Sequence, residues 1–283
     1  MQPIVAAIQM TSGQELVDNL KKAAALLHQA AAQGAKLAVL PEMFPLLGKG
    51  EVYKHQKRGI QESFGAGIIQ DFLRDTAIRH KIWILGGTLP IRSADPEKPF
   101  LSSLLFNDQG EVVARYDKIH LFDVTLSPAE SYRESDSASP GSHLNCVDTP
   151  LGRAGLSVCY DLRFPELFRG LFMNGAEILF VPSAFTVPTG KAHWEILLRA
   201  RAIENECYVV AAAQWGYHGD GRETYGHTCI IDPNGEIIAE LPEGEGVLIA
   251  EIARTHLEQQ RRILPVRMHQ KIFPDLENYP CIS

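Results

Sequence analysis

Gly155-Leu-Ser-Val-Cys-Tyr-Asp-Leu-Arg-Phe-Pro-Glu-Leu167 changes character halfway along its length. Leu156 and Val158 read as a buried strand that breaks at Cys159. A charged turn, Asp161 to Arg163, then enters a helix opened by Pro165, a residue suited to the first helical turn. A cysteine at such a junction can project from the end of a sheet toward backbone N–H groups, where a nucleophile would stand. Taken alone, Cys159 reads first as a structural thiol, because free cysteine is among the most buried residue types.

Working outward, strand and helix alternate on both sides of this stretch. Ile4 to Met10 reads as a buried strand and Glu15 to Gln33 as a helix, with Leu20, Ala24, Leu27 and Ala31 forming one apolar stripe. Gly34 stops that helix. Lys36-Leu-Ala-Val-Leu-Pro-Glu42 follows as a strand apolar on both faces, which suits a parallel sheet. Gly67 to His80 is expected to be helical. Ile82 to Ile91 reads as a strand whose Gly86-Gly87 pair admits close approach of another backbone or a ligand. Hairpins are expected around Asp108-Gln-Gly110, Pro150-Leu-Gly152 and Pro233-Asn-Gly235. A second run of strand, helix and strand is expected from Arg153 to Gln214, with helices over Pro165 to Asn174 and Ala192 to Glu206 and strands over Glu177 to Pro182 and Cys207 to Gln214. The last strand is Val247 to Ile252. Leu47 to Phe64 reads as an irregular loop and Phe122 to His143 as a long loop of the functional kind.

A pure doubly wound sheet would alternate strand and helix throughout, whereas here hairpins interrupt two such units. The pattern predicts an α/β fold of two mixed sheets stacked face to face with helices outside. No linker-like stretch divides the chain, so residues 1–283 are expected to form one domain with a Pro-rich, polar tail from about 264.

The chain of 283 residues is 45% hydrophobic and 22% charged, ample for a core without staples. A net charge of −7 argues against a nucleic-acid partner. The basic run Lys54 to Arg58 reads as a solvated face. No apolar run reaches the roughly 18 residues a membrane span requires, and the opening residues lack a signal-peptide pattern. Cys146, Cys159, Cys207, Cys229 and Cys281 form neither Cys-x-x-Cys nor a zinc-spaced cluster. An odd count of scattered thiols fits a reducing cytoplasm.

A cysteine nucleophile needs a base, oxyanion donors and an orienting group. Glu42 and Lys118 each end a strand, the position where α/β sheets place ligands. Each alone reads as an ordinary exposed charge, Lys118 as a surface partner of Asp117. Histidine is the commoner base for cysteine, which keeps His120, His193 and His227 in play.

Three motifs nevertheless resemble those of the nitrilase superfamily of carbon–nitrogen hydrolases: Leu-Ala-Val-Leu-Pro-Glu42-Met-Phe, Tyr-Asp-Lys118-Ile-His-Leu-Phe-Asp and Leu-Ser-Val-Cys159-Tyr-Asp-Leu-Arg-Phe-Pro-Glu. The similarity runs from about residue 4 to about residue 275. Within the superfamily the chain is most similar to the Nit branch, through Pro-Ser-Ala-Phe185, Thr189-Gly-Lys-Ala-His-Trp-Glu195, Leu-Arg-Ala-Arg-Ala-Ile-Glu204 and Tyr225-Gly-His227.

The resemblance implies a four-layer α-β-β-α sandwich that pairs into a homodimer or higher oligomer, with no metal or organic cofactor. It implies a catalytic Glu42–Lys118–Cys159 triad and a second glutamate, Glu134 rather than Glu130. The backbone N–H of Tyr160 is the expected second oxyanion donor. Arg163 is expected to hold a substrate carboxylate, with Phe185 and Thr189 lining the pocket; an ion pair of Arg163 with Glu166 or Asp161 is the competing reading. The expected reaction is hydrolysis of the primary amide of a small α-keto acid amide, best matched by deaminated glutathione, to the acid and ammonia through a Cys159 thioester. The alternatives are an ω-amidase acting on α-ketoglutaramate or α-ketosuccinamate, a true nitrilase, and a catalytically silent binding protein on the same fold. The nitrilase is disfavoured because Cys159-Tyr-Asp stands where nitrilases usually show Cys-Trp-Glu.

Overall fold

The computed structural model describes residues 2–128, 130–219, 221–273 and 276–282. β1 (Ile4–Gln9) leads through α1 (Leu16–Ala32) to β2 (Ala35–Val39), then through α2 (Gly50–Gly59) and α3 (Ile68–His80) to β3 (Trp83–Ile91). β4 (Phe100–Phe106) and β5 (Val112–Asp117) form a hairpin, followed by a smaller one, β6 (Asp123–Ser127) and β7 (Glu130–Arg133). The second half begins with β8 (Leu144–Thr149) and β9 (Gly152–Leu156), and a 3-10 turn over Cys159–Arg163 leads into α4 (Pro165–Met173). β10 (Ile178–Phe180), α5 (Val187–Asn205) and β11 (Tyr208–Ala211) complete its strand–helix alternation. There follow β12 (Trp215–Tyr217), β13 (Glu223–Tyr225), β14 (Thr228–Ile231), β15 (Ile237–Leu241), β16 (Gly246–Glu251), α6 (Arg254–Ile263), α7 (Val266–His269) and β17 (Cys281–Ile282).

Two mixed sheets result. One runs β16-β1-β2-β3-β4-β5, with β1, β2 and β3 parallel and the remaining pairs antiparallel. The other runs β15-β14-β11-β10-β9-β8-β17, with β9, β10 and β11 parallel at its centre. The two-residue alternation of a strand decides what each side chain meets. In the first sheet Val5, Ala7, Leu37, Val39, Leu85 and Leu105 enter a core shared with the second sheet. Their neighbours Ala6, Ile8, Ala38, Leu40, Ile84 and Leu104 instead pack with Leu27 of α1 and Leu73 of α3. Phe168 and Leu171 of α4 and Trp194 and Leu198 of α5 join the second sheet's side of the shared core. The layers are therefore helix, sheet, sheet, helix, as expected.

Several local readings change. The α1 stripe centres on Leu20, Ala23, Leu27 and Ala30, with Ala24 and Ala31 at its margin. The stretch 47–64 is not all loop but holds α2, which carries no apolar stripe because its one fully buried residue is Lys57. The basic run 54–58 is accordingly not a solvated face, since Lys57 is 3% exposed. The long loop 122–143 is pinned by the β6–β7 hairpin. α6 lies before the tail and was not legible as an apolar helix, with Leu257 its one buried residue. Among the described residues no helix is long and apolar enough to cross a membrane.

Candidate active site

Three strand ends meet where the sheets stack. Glu42 lies just past β2, Lys118 directly after β5 and Cys159 just past β9. The Glu42 turn is tightly held. Met43 takes a left-handed backbone at φ 52°, and its N–H donates to the Thr88 hydroxyl at 2.9 Å. The Glu42 carbonyl accepts from the Gln214 side-chain amide at 3.1 Å. Gly87 permits this turn: a Cβ there would stand 1.9 Å from the Pro41 carbonyl oxygen. The close approach expected at Gly86-Gly87 is thus backbone against backbone.

Cys159 itself has φ 47°, a conformation that L-residues other than Gly, Asn and Asp rarely adopt. Such strain persists only when the surroundings over-determine it. Here the Cys159 N–H donates to the Pro182 carbonyl at 3.0 Å, and Asp161 pins the turn from the other side. The buried Asp161 carboxylate accepts from the Val158 N–H at 2.8 Å, the Tyr116 hydroxyl at 2.7 Å and the His120 N–H at 3.1 Å. It also meets His120 Nδ1 at 2.7 Å. Tyr116 and His120 flank Lys118, so one acid ties the lysine strand to the cysteine turn. Sequence reasoning missed this role and weighed Asp161 only as a partner for Arg163.

The Lys118 ammonium is 1% exposed and donates to Glu42 Oε1 and Glu134 Oε2, each at 2.8 Å. Glu134 Oε2 also accepts the Phe122 N–H at 2.8 Å. Glu130 is elsewhere, receiving the Tyr132 hydroxyl at 2.9 Å. Asp117 turns to Arg115 at 2.9 Å and leaves Lys118 to the interior.

Electrostatics follow from this burial. Burial alone would pull the Lys118 pKa down, but Glu134 and Glu42 outweigh it and hold the ammonium well above the ordinary lysine value. Burial pushes Glu134 up, yet Lys118 and the Phe122 N–H bring its carboxyl below the usual range. The Cys159 thiol is driven well above a free thiol by burial first, then by the Glu42 charge and a hydrogen bond to Glu42; Lys118 and the Ala184 N–H oppose this. Burial and the Glu42 side chain thus disfavour the thiolate at rest, while the two carboxyls favour the Lys118 ammonium.

These groups form the floor of a cavity of about 290 Å³ that Tyr160, Phe185 and Thr189 also line. Among the described residues no acceptor takes the Tyr160 N–H. Phe185 packs on Trp194 with ring centres 4.8 Å apart. The Thr189 hydroxyl is engaged with that of Thr186 at 2.8 Å.

Arg163 packs on two of the residues that line this cavity. Its guanidinium lies over the rings of Tyr160 and Phe185, 5.9 and 5.6 Å from their centres, with Nη1 3.3 Å from His193 Nδ1. Among the described residues Arg163 makes no ion pair with Glu166 or Asp161, and its guanidinium stands over the rings of two cavity-lining residues. The cations that do line the cavity come from elsewhere: Lys49, Lys54 and Lys57 on and before α2, Arg133 on β7, and Arg222 before β13. None of the three histidines weighed as a base lines it; His120 stacks on Phe164 and His227 meets Glu240 at 2.8 Å. Among the described residues no group of His, Cys, Asp and Glu is arranged to hold a metal.

A family model for carbon–nitrogen hydrolases matches residues 4–262. The deaminated glutathione amidase of Yersinia enterocolitica is 45% identical over 274 residues, covering 96% of this chain and 94% of that protein. The human deaminated glutathione amidase is 43% identical, covering 97% of this chain and 83% of its own length. Among solved structures, the Caenorhabditis elegans NitFhit protein superposes with a TM-score of 0.88 at 37% identity, over 95% of this chain and 65% of that one. Saccharomyces cerevisiae Nit3, a member of branch 10 of the nitrilase superfamily, gives 0.84 at 32% identity over 94% and 95%.

Proposed function

This chain belongs to the carbon–nitrogen hydrolase family and is a hydrolase of non-peptide amides, and on that footing we propose that it acts on deaminated glutathione through a Cys159 thioester. The observation that supports the chemistry best is the contact of one buried ammonium with two carboxylates beside a buried thiol. The substrate reading draws on the names of the relatives, which span nearly the whole chain.

Glu42 takes the thiol proton as sulfur attacks the amide carbonyl carbon. A free thiol supplies only a few per cent thiolate at neutral pH and burial disfavours the thiolate further here, which supports transfer of the proton together with attack. The tetrahedral oxyanion receives charge from Lys118 and a hydrogen bond from the Tyr160 N–H. Each such donor is worth about 3–4 kcal/mol in the transition state. Protonated Glu42 gives its proton to the leaving nitrogen, the C–N bond breaks and a thioester remains. Water then loses a proton to Glu42 and attacks the thioester. A second oxyanion collapses, the C–S bond breaks and the thiolate recovers its proton from Glu42. Glu134 is a positioning residue that fixes the Lys118 ammonium. Lys118 supplies the positive charge a Lewis acid would otherwise bring.

In deaminated glutathione the scissile amide joins the distal carboxyl carbon of the α-keto acid to the nitrogen of a Cys-Gly dipeptide. The departing group is then an amine, and ammonia departs only from a primary amide such as α-ketoglutaramate. The reading includes a homodimer working in the cytoplasm without metal or organic cofactor; sedimentation equilibrium and dialysis against a chelator test the assembly and the metal independence. The decisive assay follows α-ketoglutarate and cysteinylglycine release from deaminated glutathione, beside ammonia release from α-ketoglutaramate and from a simple nitrile. Fastest turnover of deaminated glutathione is expected. Preference for α-ketoglutaramate would make the protein an ω-amidase, and silence on every amide would make it a binding protein.

A further inference from the structure

The one fully buried side chain of α2 is Lys57, an ammonium that the chemistry on the cavity floor does not use. It is 3% exposed and donates to the Ser137 hydroxyl at 2.8 Å. It also lies over the Tyr53 ring, 5.9 Å from the ring centre. Among the described residues no carboxylate stands within ion-pair distance of it. An ammonium can donate three hydrogen bonds, and burying one without a counterion is costly. A cost of that kind is retained where the group does something.

What Lys57 touches is the turn that carries Glu134. Ser137 closes the 3-10 turn Glu134–Asp136, its N–H donating to the Glu134 carbonyl at 3.0 Å. Glu134 opens the same turn, and its carboxylate receives the Lys118 ammonium at 2.8 Å. The outer side of the turn is held at Ser135, whose N–H donates to Asp123 at 3.0 Å and whose carbonyl accepts from Lys98 at 2.8 Å. On the side facing α2 the tie is Lys57. Its charge also reaches the acid itself: Glu134 is the carboxylate that bears most strongly on Lys57, and Lys57 helps hold the Glu134 carboxyl below the usual range.

We propose that Lys57 is a positioning residue for amide hydrolysis: tied to Ser137 and facing Glu134, it holds in place the glutamate that fixes the Lys118 ammonium. The inference rests on the amidase reading above and adds to it a residue that acts through Glu134. A pH signature follows. The charged groups that bear on Lys57 are Glu134 of the turn, Lys118 after β5, Arg222 before β13 and Lys54 on its own helix. Burial outweighs the one acid among them and lowers the Lys57 pKa to about 8. Lys118 and Cys159 both titrate far higher, so a fall in rate near pH 8 is not theirs.

The test compares the wild type, Lys57→Met, Glu134→Gln and the double variant on deaminated glutathione and on α-ketoglutaramate. Lys57→Met should lower kcat by about 10- to 100-fold with KM unchanged, the cost of shifting a reacting group by up to about 1 Å. In the Glu134→Gln background the same substitution should cost less than about twofold, because the residue it acts through is already gone. The wild-type kcat should fall as pH rises through about 8, and Lys57→Met should lack that fall. Ser137→Ala keeps the charge and removes its tie; it should also lower kcat, and it carries the test if Lys57→Met does not fold. Additive losses in the double variant, a raised KM with kcat unchanged, an alkaline fall that persists in Lys57→Met, or wild-type kcat in Ser137→Ala each overturns the proposal. Silence of the wild type on every amide would instead defeat the amidase reading. The link is then judged without turnover, by urea unfolding of the same four proteins. Stability changes that fail to add support it, and additive ones overturn it.

Discussion

The floor of the cavity and its outer wall carry charge in opposite ways. On the floor, Lys118 meets Glu42 and Glu134 at 2.8 Å, and every ion has a counterion before substrate arrives. On the wall, Lys57 has a hydroxyl and Arg222 has an unmet Nε. Charges on the floor therefore compensate one another, whereas among the described residues the two wall cations have no counterion. That contrast separates a set of groups poised for chemistry from one whose burial is costly.

The largest effects should come from the floor. Cys159→Ala is expected to lower kcat by about 10⁴-fold or more, with a urea unfolding midpoint close to the wild type. Lys118→Met should be as inactive and also less stable by about 3–5 kcal/mol, because two buried carboxylates lose their shared partner. A Lys118→Met protein as stable as the wild type would erase the distinction between a paired floor and an unpaired wall. Gly87→Ala comes next. Its Cβ must displace the Pro41 carbonyl that precedes Glu42, and a shift of about 1 Å in a reacting group can cost about 100-fold in rate. Unaltered kinetics in Gly87→Ala would mean the Glu42 turn tolerates more freedom than its packing indicates.

Legibility in the sequence follows the same division. Glu42, Lys118 and Cys159 stand at the ends of strands, and each strand announces itself by an apolar run or alternation that fixes where it stops. The stacking of two such sheets then converges three strand ends. Glu134 could be placed only by resemblance, since the β6–β7 hairpin that carries it up to Lys118 has little apolar signal. The wall was illegible for a physical reason. α2 reads Gly-Glu-Val-Tyr-Lys-His-Gln-Lys-Arg-Gly, and the side chain it buries is a lysine, so no hydrophobic period marks the helix. Arg163 is readable as a substrate contact from its place just past Cys159, and the 3-10 turn sets its guanidinium over the rings of Tyr160 and Phe185.

Two pH effects, the smallest of the set, sharpen the contrast further. Lys118 and the Phe122 N–H hold the Glu134 carboxyl below the ordinary 4.5, so its stabilising contribution is present above that value and is lost as pH falls through the folded one. Acid titration of Glu134→Gln should therefore show a shallower loss of stability below pH 4.5 than the wild type. Lys57 behaves oppositely. Burial lowers its folded pKa to about 8, below the ordinary 10.5, so between them the unfolded chain binds more protons and stability rises with pH. Lys57→Met should be more stable than the wild type by about 1 kcal/mol at pH 7 and lose that advantage at pH 10, read by urea unfolding at both. Glu134, Lys118, Lys54 and Arg222 are the charged groups that bear on this titration.

The central claim is that Cys159 carries the acyl group between two half-reactions. Acid-quenching the enzyme during turnover of deaminated glutathione and weighing its peptides tests this directly. A 2-oxoglutaryl increment, the mass of the acid less water, is expected on the peptide containing Cys159 and is cleared as substrate is exhausted. Rapid turnover with Cys159 unmodified at every quench time, or with the increment on Cys146, Cys207, Cys229 or Cys281, would contradict it.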